Sequence, residues 1–279
     1  MRIYPKTNEY LEGIEEFKET IKKYKGIEIQ YFKKSDKELI DFEIKKTIEQ
    51  ILKKYPYIEE ITIHPPLCDY ELEIVLLKDK NIFLNQIKTI VKLSKKYNIK
   101  INIVEHTRLL MSQAKLTILP VLEKAKKIMK NTNTKIVFEN IYMMEEQKNC
   151  SVIELCDYLN SENMKVCIDM CHLYCQAHIY KQEIEEFLEK YLNKEKCKKQ
   201  VYQIHFAYTA NEDGYIDRKT HAIMHPDEET LYYDAKMLYQ YGMGDCNWIT
   251  EVSEEDYNTR KDQVNEIKML SNQKTKLEK

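Results

Sequence analysis

KVCIDMCH (165–172) is a short apolar, β-branched run that ends in Asp169, with His172 three residues further on. A buried strand ordinarily ends in a turn residue, whereas this one ends in potential metal ligands. The same ending recurs upstream in ITIHPP (61–66, His64), INIVEHT (101–107, His106) and KIVFENI (135–141, Glu139). It recurs downstream in VYQIHFA (201–207, His205) and WITEVSEED (248–256, Glu251). Repeated in this way, the endings set hard and borderline ligands at one rim of a sheet, which is how a parallel barrel builds an active site from the C-terminal ends of its strands.

Eight candidate strands follow from the apolar runs: RIYP (2–5), GIEIQYF (26–32), EEITIHP (59–65), IKINIVEH (99–106), TKIVFEN (134–140), KVCIDM (165–170), VYQIHFA (201–207) and NWITEVS (247–253). Amphipathic, Lys/Glu-rich stretches separate them, with helices expected over 8–24, 36–54, 81–97, 114–130, 151–160, 181–194, 228–241 and 254–272. Strand followed by helix, repeated, predicts parallel βαβ units, and right-handed crossovers with closure predict an α/β fold of the (β/α)8 barrel type. An open doubly wound sheet is the rival topology, and the first strand, short and carrying Pro5, is the weakest of the eight. One domain is expected over 1–279, with a polar, frayed tail from about 272 (NQKTKLEK).

With 279 residues, the chain is close to the ~250 of one such barrel. Its net charge of −2 and its four arginines (Arg2, Arg108, Arg218, Arg260) give no global basic field for nucleic acid. The lysine clusters at 22–23, 53–54, 95–96 and 126–127 read as solvated helix faces. With only five glycines and neither GxGxxG nor GxxxxGK[ST], a nucleotide cofactor is not expected. The N-terminus has no apolar leader and no run of about 18 apolar residues occurs, so a cytoplasmic location without membrane contact is expected. The eight cysteines (68, 150, 156, 167, 171, 175, 197, 246) match no zinc or iron–sulfur spacing and are expected as buried free thiols.

Glu139, Asp169, His205 and Glu251 end candidate strands five to eight. Three carboxylates and an imidazole suit a divalent ion such as Mn²⁺, Mg²⁺, Co²⁺ or Zn²⁺. Taken singly, each has an ordinary explanation: a strand-end histidine is commonly a hydrogen-bonded structural residue, and Asp169 suits a helix cap. Jointly they mark a site. His172 falls just past the sixth strand, placed for a second ion or a substrate oxygen. His64 and His106 are placed to complete a second metal site that Glu139 would bridge. Arg218 lies near the expected mouth, either as a substrate contact or paired with Asp213 or Asp217. His225 reads as a loop cap or a spare ligand, and Tyr70, Phe206 and Tyr208 as core aromatics or a sugar platform.

Over roughly residues 59–255, the order His, His, Glu, Asp-x-x-His, His, Glu resembles the xylose-isomerase-like TIM-barrel superfamily, which contains sugar isomerases and epimerases and the endonuclease IV type of AP endonuclease. FEN (138–140), CIDMCH (167–172), IHF (204–206), ITE (249–251) and IHPP (63–66) carry the resemblance. In the epimerase branch it implies one divalent ion on Glu139, Asp169, His205 and Glu251, with Glu139 and Glu251 as acid and base and His172 on the substrate. In the endonuclease branch it implies His64, His106 and Glu139 at one zinc and Asp169, His205 and Glu251 at a second. A third would take His172 with a loop Asp and His, for which Asp217 and His221 are the nearest candidates. The chain departs from that branch where Lys219-Thr220 separate Asp217-Arg218 from His221, and in HFAYTA (205–210). EHTR (105–108) stands where the branch has a His-Pro-Gly turn, which leaves open whether Glu105 or His106 faces the barrel.

The leading expectation is a divalent-metal-dependent sugar or sugar-phosphate isomerase or epimerase that moves a proton next to a carbonyl, with a small sugar as its partner. A zinc-dependent phosphodiesterase of the endonuclease IV kind, which would bind nucleic acid, is the alternative, and a non-catalytic ligand-binding barrel is the third. Occupation of His64, His106 and His172 by metal separates the first two.

Overall fold

The computed structural model describes residues 1–31, 37–65, 72–106, 118–140, 151–210, 222–254 and 257–279. Eight strands form the centre: β1 (Arg2–Asn8), β2 (Gly26–Gln30), β3 (Glu60–His64), β4 (Lys100–His106), β5 (Lys135–Glu139), β6 (Met164–Asp169), β7 (Val201–Phe206) and β8 (Asn247–Thr250). They pair in chain order, all parallel, and β8 closes on β1, so the sheet is a barrel and not an open doubly wound sheet. Strand β1 runs further than RIYP. Its first half is in register with β8 (Arg2↔Asn247 to Pro5↔Thr250) and its second half with β2 (Lys6↔Glu28 to Asn8↔Gln30). That stagger is what closure of tilted strands requires, and it carries the strand across a proline that cannot donate to the ladder.

The helices are α1 (Lys18–Tyr24, preceded by a 3₁₀ turn at Ile14–Phe17), α2 (Lys37–Lys54), α3 (Leu72–Tyr97), α4 (Leu119–Met129), α5 (Ser151–Leu159), α6 (Met170–Ile179), α7 (Ile184–Tyr191), α8 (Lys194–Gln200), α9 (Glu228–Gln240) and α10 (Lys261–Leu277). Three expectations need correction. The 8–24 helix begins only after Gly13, whose left-handed φ of 63° breaks the chain direction. The stretch after β6 folds into three helices instead of one over 181–194, because Asp169 caps α6 directly at the strand end. The polar tail is not frayed, since α10 continues to Leu277 and buried Gln273 donates to Glu228 Oε2 at 2.6 Å.

Side-chain alternation divides each strand into two faces. Ile3, Ile27, Ile29, Ile61, Ile63, Ile101, Ile103, Phe138, Ile168, Ile204 and Trp248 pack outward in one continuous core under the helices. The interior is mostly polar, with Val104, Val137, Cys167 and Ile249 among its inward-facing positions, unlike the branched apolar layers usual in such barrels. At its floor the Glu60 carboxylate accepts from Asn102 (2.9 Å), Asn247 (2.6 Å) and Tyr202 (2.7 Å) on Oε1 and from Tyr4 (3.4 Å) on Oε2. The Tyr4 ring reaches it by crossing Gly26, where an added Cβ would stand 2.2 Å from Tyr4 Cζ. Above the floor, Thr62 donates to Gln203 (3.2 Å), which donates to Glu28 (2.7 Å), and these bonds cross the barrel. A buried network of this kind is stabilising only while every member is satisfied. Glu60→Ala, which orphans four amide and hydroxyl donors, is expected to cost about 3–5 kcal/mol. Denaturant unfolding followed by the fluorescence of Trp248 checks this, and a cost below about 1 kcal/mol would remove the floor network from the account of stability.

Candidate metal centre

The polar interior opens at the C-terminal ends of the strands onto Glu139. The pairing of β4 with β5 sets His106 beside Glu139, and that of β6 with β7 sets Asp169 beside His205. Glu139 Oε2 lies 3.4 Å from His64 Nε2, 3.4 Å from His106 Nε2 and 3.1 Å from His205 Nδ1, and its Oε1 lies 3.6 Å from His172 Nδ1. His205 Nδ1 in turn lies 2.7 Å from Glu251 Oε2 and 4.0 Å from Asp169 Oδ2. His64, His106, Glu139, Asp169, His172, His205 and Glu251 therefore converge on one point. His106, not Glu105, faces Glu139. Asp217, Arg218, His221 and Tyr70 lie outside the described residues.

Two roles combine at Asp169. Its Oδ1 accepts from the His172 backbone N–H at 2.8 Å, capping α6, while its Oδ2 faces His205. Asn140, the last residue of FEN, holds this turn: its Oδ1 accepts from Asp169 N at 2.7 Å and its amide donates to Asp169 O at 3.2 Å. The Asn140 carbonyl is 2.7 Å from His172 Nδ1. A carbonyl only accepts, so that nitrogen carries the proton and any ligand contact of His172 passes through Nε2.

Two members of the site escape a reading of the sequence because they are not strand endings. Glu28, in the middle of β2, accepts at Oε2 from His205 Nε2 at 3.1 Å. This fixes the imidazole and turns Nδ1 toward the three other carboxylates, the orientation that outer carboxylates impose on metal-binding histidines. Lys6 Nζ lies 3.1 Å from Glu28 Oε1 and 2.5 Å from Glu251 Oε1. The signal for Glu28 is present in GIEIQ (26–30), where an alternating strand carries a charge at a position of its interior face.

The donor atoms fit a divalent ion. His106 Nε2, His205 Nδ1, Glu139 Oε2 and Glu251 Oε2 are all buried, and none has an aligned hydrogen-bond partner among the described residues. Buried polar atoms left in this state are costly unless a cation completes them. Three overlapping sets bring their ligand atoms within 4.8 Å of one another: His64/His106/Glu139, Asp169/His205/Glu251 and Glu139/Asp169/His172. Oxygen and imidazole nitrogen in threes match the ligation of borderline divalent metals.

Charge follows position. Burial works against the charge of His205, but Cys167 and the carboxylates of Glu251, Glu28 and Glu139 outweigh it and hold the imidazole protonated well above its ordinary range. Burial likewise opposes ionisation of Glu139, yet His205 and His106 bring its carboxyl well below the carboxylate range. Glu251 is lowered in the same way by His205 and Lys6. His64 goes the other way, as burial and then the Lys6 ammonium lower its pKa, so it presents a neutral ring. An ion entering at His205 Nδ1 must displace a proton, while one entering at His64 need not. Among the seven converging residues, the side chain of Glu251 is 25% exposed and that of His172 12%, against 1–6% for the other five.

A family model described as xylose isomerase-like TIM barrel matches residues 16–248. The chain belongs to that family. A structure of a D-tagatose 3-epimerase-like protein superposes with a TM-score of 0.64 at 15% identity, covering 100% of this chain and 98% of that one. The IOLI protein with a binding zinc atom gives 0.64 at 15% identity, covering 99% and 98%. Endonuclease IV from Thermus thermophilus gives 0.56 at 13% identity, covering 98% and 100%. At these identities the likeness is one of fold. A comparison with curated protein sequences finds no match. Members of this family and its structural neighbours are mostly enzymes.

His225 is neither a simple cap nor a ligand of the centre. It is fully buried behind β7, stacked on Phe206 at 4.8 Å between centroids. Its Nδ1 bonds Glu266 of α10 and its Nε2 lies 3.2 Å from Asp234 of α9, which also accepts from Tyr174 of α6 at 2.5 Å. Tyr208 is the other ring against it. Burial opposes the His225 charge, but Asp234 and Glu266 overcome this and push its pKa up to about 9 from 6.5. A raised folded-state value means that the stabilisation is complete below pH 6.5 and is lost as pH rises through about 9. Melting temperature is therefore expected to fall between those limits. His225→Asn should lower stability at pH 6 by about 3–5 kcal/mol and flatten that fall, and an unchanged slope would assign the pH dependence elsewhere.

Proposed function

We propose that the chain is a metal-dependent enzyme that holds two divalent ions bridged by Glu139 and cleaves a phosphoester. One observation carries the reading: His64 and His106 both bring Nε2 to 3.4 Å of the same Glu139 oxygen. A single ion on Glu139, Asp169, His205 and Glu251 needs neither histidine, and a neutral His64 on a buried carboxylate is a ligand pair that a second ion would use.

His64, His106 and Glu139 would hold one ion; Asp169, His205 and Glu251, with the shared Glu139, would hold the other. Divalent ions bound there supply Lewis-acid charge stabilisation and an acidified water. The chain's own residues do the rest. Glu28 holds His205 in the tautomer that presents Nδ1, and Asn140 and the α6 cap hold Asp169 and His172 in place. The partly exposed Glu251 and His172 line the approach, so the substrate meets them first, and His172 would donate from Nε2 to an anionic oxygen only as the doubly protonated imidazolium. The buried floor closes the far end of the barrel to water. With a net charge of −2 and four arginines, binding of duplex DNA, which depends on neutralising several phosphates, is disfavoured over a smaller phosphoester.

A second reading, sugar isomerisation or epimerisation, is supported by the four-ligand set at the ends of β5 to β8, which is complete without His64 and His106, and by the epimerase-like name of one structural neighbour. There Glu139 and Glu251 would exchange the proton beside the carbonyl.

Metal analysis of the purified protein is expected to give at least two ions per chain. The His64→Ala/His106→Ala double variant should lose one of them and hydrolyse bis(p-nitrophenyl) phosphate about 10²-fold or more slowly. A single ion per chain in both proteins, with exchange of a ketose α-proton for deuterium, would replace this reading with the second. Glu139→Gln is expected to abolish turnover while the fold persists in circular dichroism, and wild-type rates in that variant would remove both readings.

A further inference from the structure

Where the barrel closes, Lys6 of β1 stands between Glu28 of β2, its register partner, and Glu251, which follows the end of β8. Its Nζ is 3.1 Å from Glu28 Oε1 and 2.5 Å from Glu251 Oε1. The other oxygen of each carboxylate faces His205: Glu28 Oε2 lies 3.1 Å from Nε2 and Glu251 Oε2 lies 2.7 Å from Nδ1. Two carboxylates are thus clamped between two cations in a closed ring. The two cations differ in kind. His205 is itself one of the groups that would hold an ion, whereas Lys6, enclosed at 9% exposure on a strand of the barrel, offers no lone pair as an ammonium. Among the described residues, Lys6 is the only lysine or arginine within ion-pair distance of the carboxylates of Glu28, Glu139, Asp169 or Glu251.

We infer that Lys6 is the resident cation of the centre: a positioning residue whose ammonium keeps the carboxylate ring folded without metal and, by remaining there, restrains the affinity of the ion that enters beside it. The inference rests on the reading of the rim as a metal site. Repulsion between an ammonium and a dication a few ångström apart in a buried setting is weakly screened, so its removal tightens binding. Its removal also leaves Glu28 Oε1 buried with no counter-charge and takes the ammonium from Glu251 Oε1, which destabilises the metal-free chain. By occupying Glu251 Oε1, Lys6 leaves that carboxylate only Oε2 to offer.

The test compares the metal-free full chain and its Lys6→Met, Lys6→Gln and Lys6→Arg variants, with Co²⁺ as probe. Melting temperature is measured with and without the ion, and affinity by competition with a chromophoric chelator. In Lys6→Met the metal-free melting temperature is expected to fall, the rise on adding Co²⁺ to exceed that of the wild type, and Co²⁺ to bind about tenfold more tightly or better. Lys6→Arg keeps the charge and should match the wild-type rise. An equal or smaller rise in Lys6→Met, or weaker Co²⁺ binding, overturns the inference and makes Lys6 a mere support for Glu251. Should Lys6→Met fail to fold even with Co²⁺, Lys6→Gln decides by the same comparison. Absence of any rise in the wild type overturns the metal reading itself, and the inference with it, so the two failures are told apart by which protein does not respond.

Discussion

Four carboxylates, Glu28, Glu139, Asp169 and Glu251, share one end of a barrel interior, all but the partly exposed Glu251 shut away from water, and their mutual repulsion is the constraint from which the rest of the site follows. Each is placed by a strand register that cannot slip without turning the apolar face of that strand inward. The barrel therefore cannot relieve the repulsion by moving the carboxylates apart, and it surrounds them with imidazoles and an ammonium instead. His205 sits between all four, His64 and His106 close on Glu139, and Lys6 spans the seam. The imidazoles do this at the expense of their own usual protonation balance. His205 is pushed up and His64 down, according to which neighbours dominate. Divergent shifts among neighbouring buried groups mark a candidate functional site.

The polar interior below the centre belongs to the same design. Gln203 donates to Glu28, and Glu28 fixes His205, so the orientation of a candidate ligand is traceable through two side chains to Thr62 in the middle of the barrel. An apolar plug would fill the same volume but would leave Glu28 unsatisfied and His205 free to turn. Glu60 at the floor repeats the solution chiefly with neutral donors, Asn102, Asn247, Tyr4 and Tyr202, with Arg2 and Lys100 at 3.6 and 3.8 Å from its Oε2. One end of the barrel thus surrounds a carboxylate with donors, with only the amide oxygens of Asn102 and Asn247 left over, and the other leaves carboxylate oxygens and imidazole nitrogens facing one another without hydrogen bonds. That asymmetry, more than the presence of histidines, separates a scaffold from a site.

Much of this is legible in the chain. The eight apolar runs correspond to the eight strands, and the residues that end them converge at the rim, because strand ends are local and their alternation is strict. The free-thiol expectation holds for all six described cysteines, which are buried and unpaired with one another. No helix among the described residues is long and apolar enough to cross a membrane. What escapes is whatever depends on neighbours distant in sequence. Lys6 looks like part of a short strand broken by Pro5, and only closure against β8 reveals it beside Glu251. Glu28 lies mid-strand and gains meaning from His205, 177 positions away. His225 reads as a loop residue because its partners, Asp234 and Glu266, are helical and give no local sign of facing inward.

Asp169 and Asn140 show why a residue-by-residue choice between structural and chemical roles misleads in this fold. The same Asp169 carboxylate caps α6 with one oxygen and meets His205 with the other, while Asn140 ties β5 to the end of β6 and orients His172 through its carbonyl. In a parallel barrel the end of a strand is also the beginning of a helix, so the atoms that terminate one element and start the next already lie at the mouth. A cap with a second lone-pair oxygen is thereby a ligand at no further conformational cost. The fold does not dictate which reaction follows. It does dictate that a reaction here uses charges already held in place, with only Glu251 and His172 on the side open to an arriving molecule. On the proposed reading, the chemistry is set by how many cations those fixed charges hold, which turns on the pair of imidazoles that the third and fourth strands bring to Glu139.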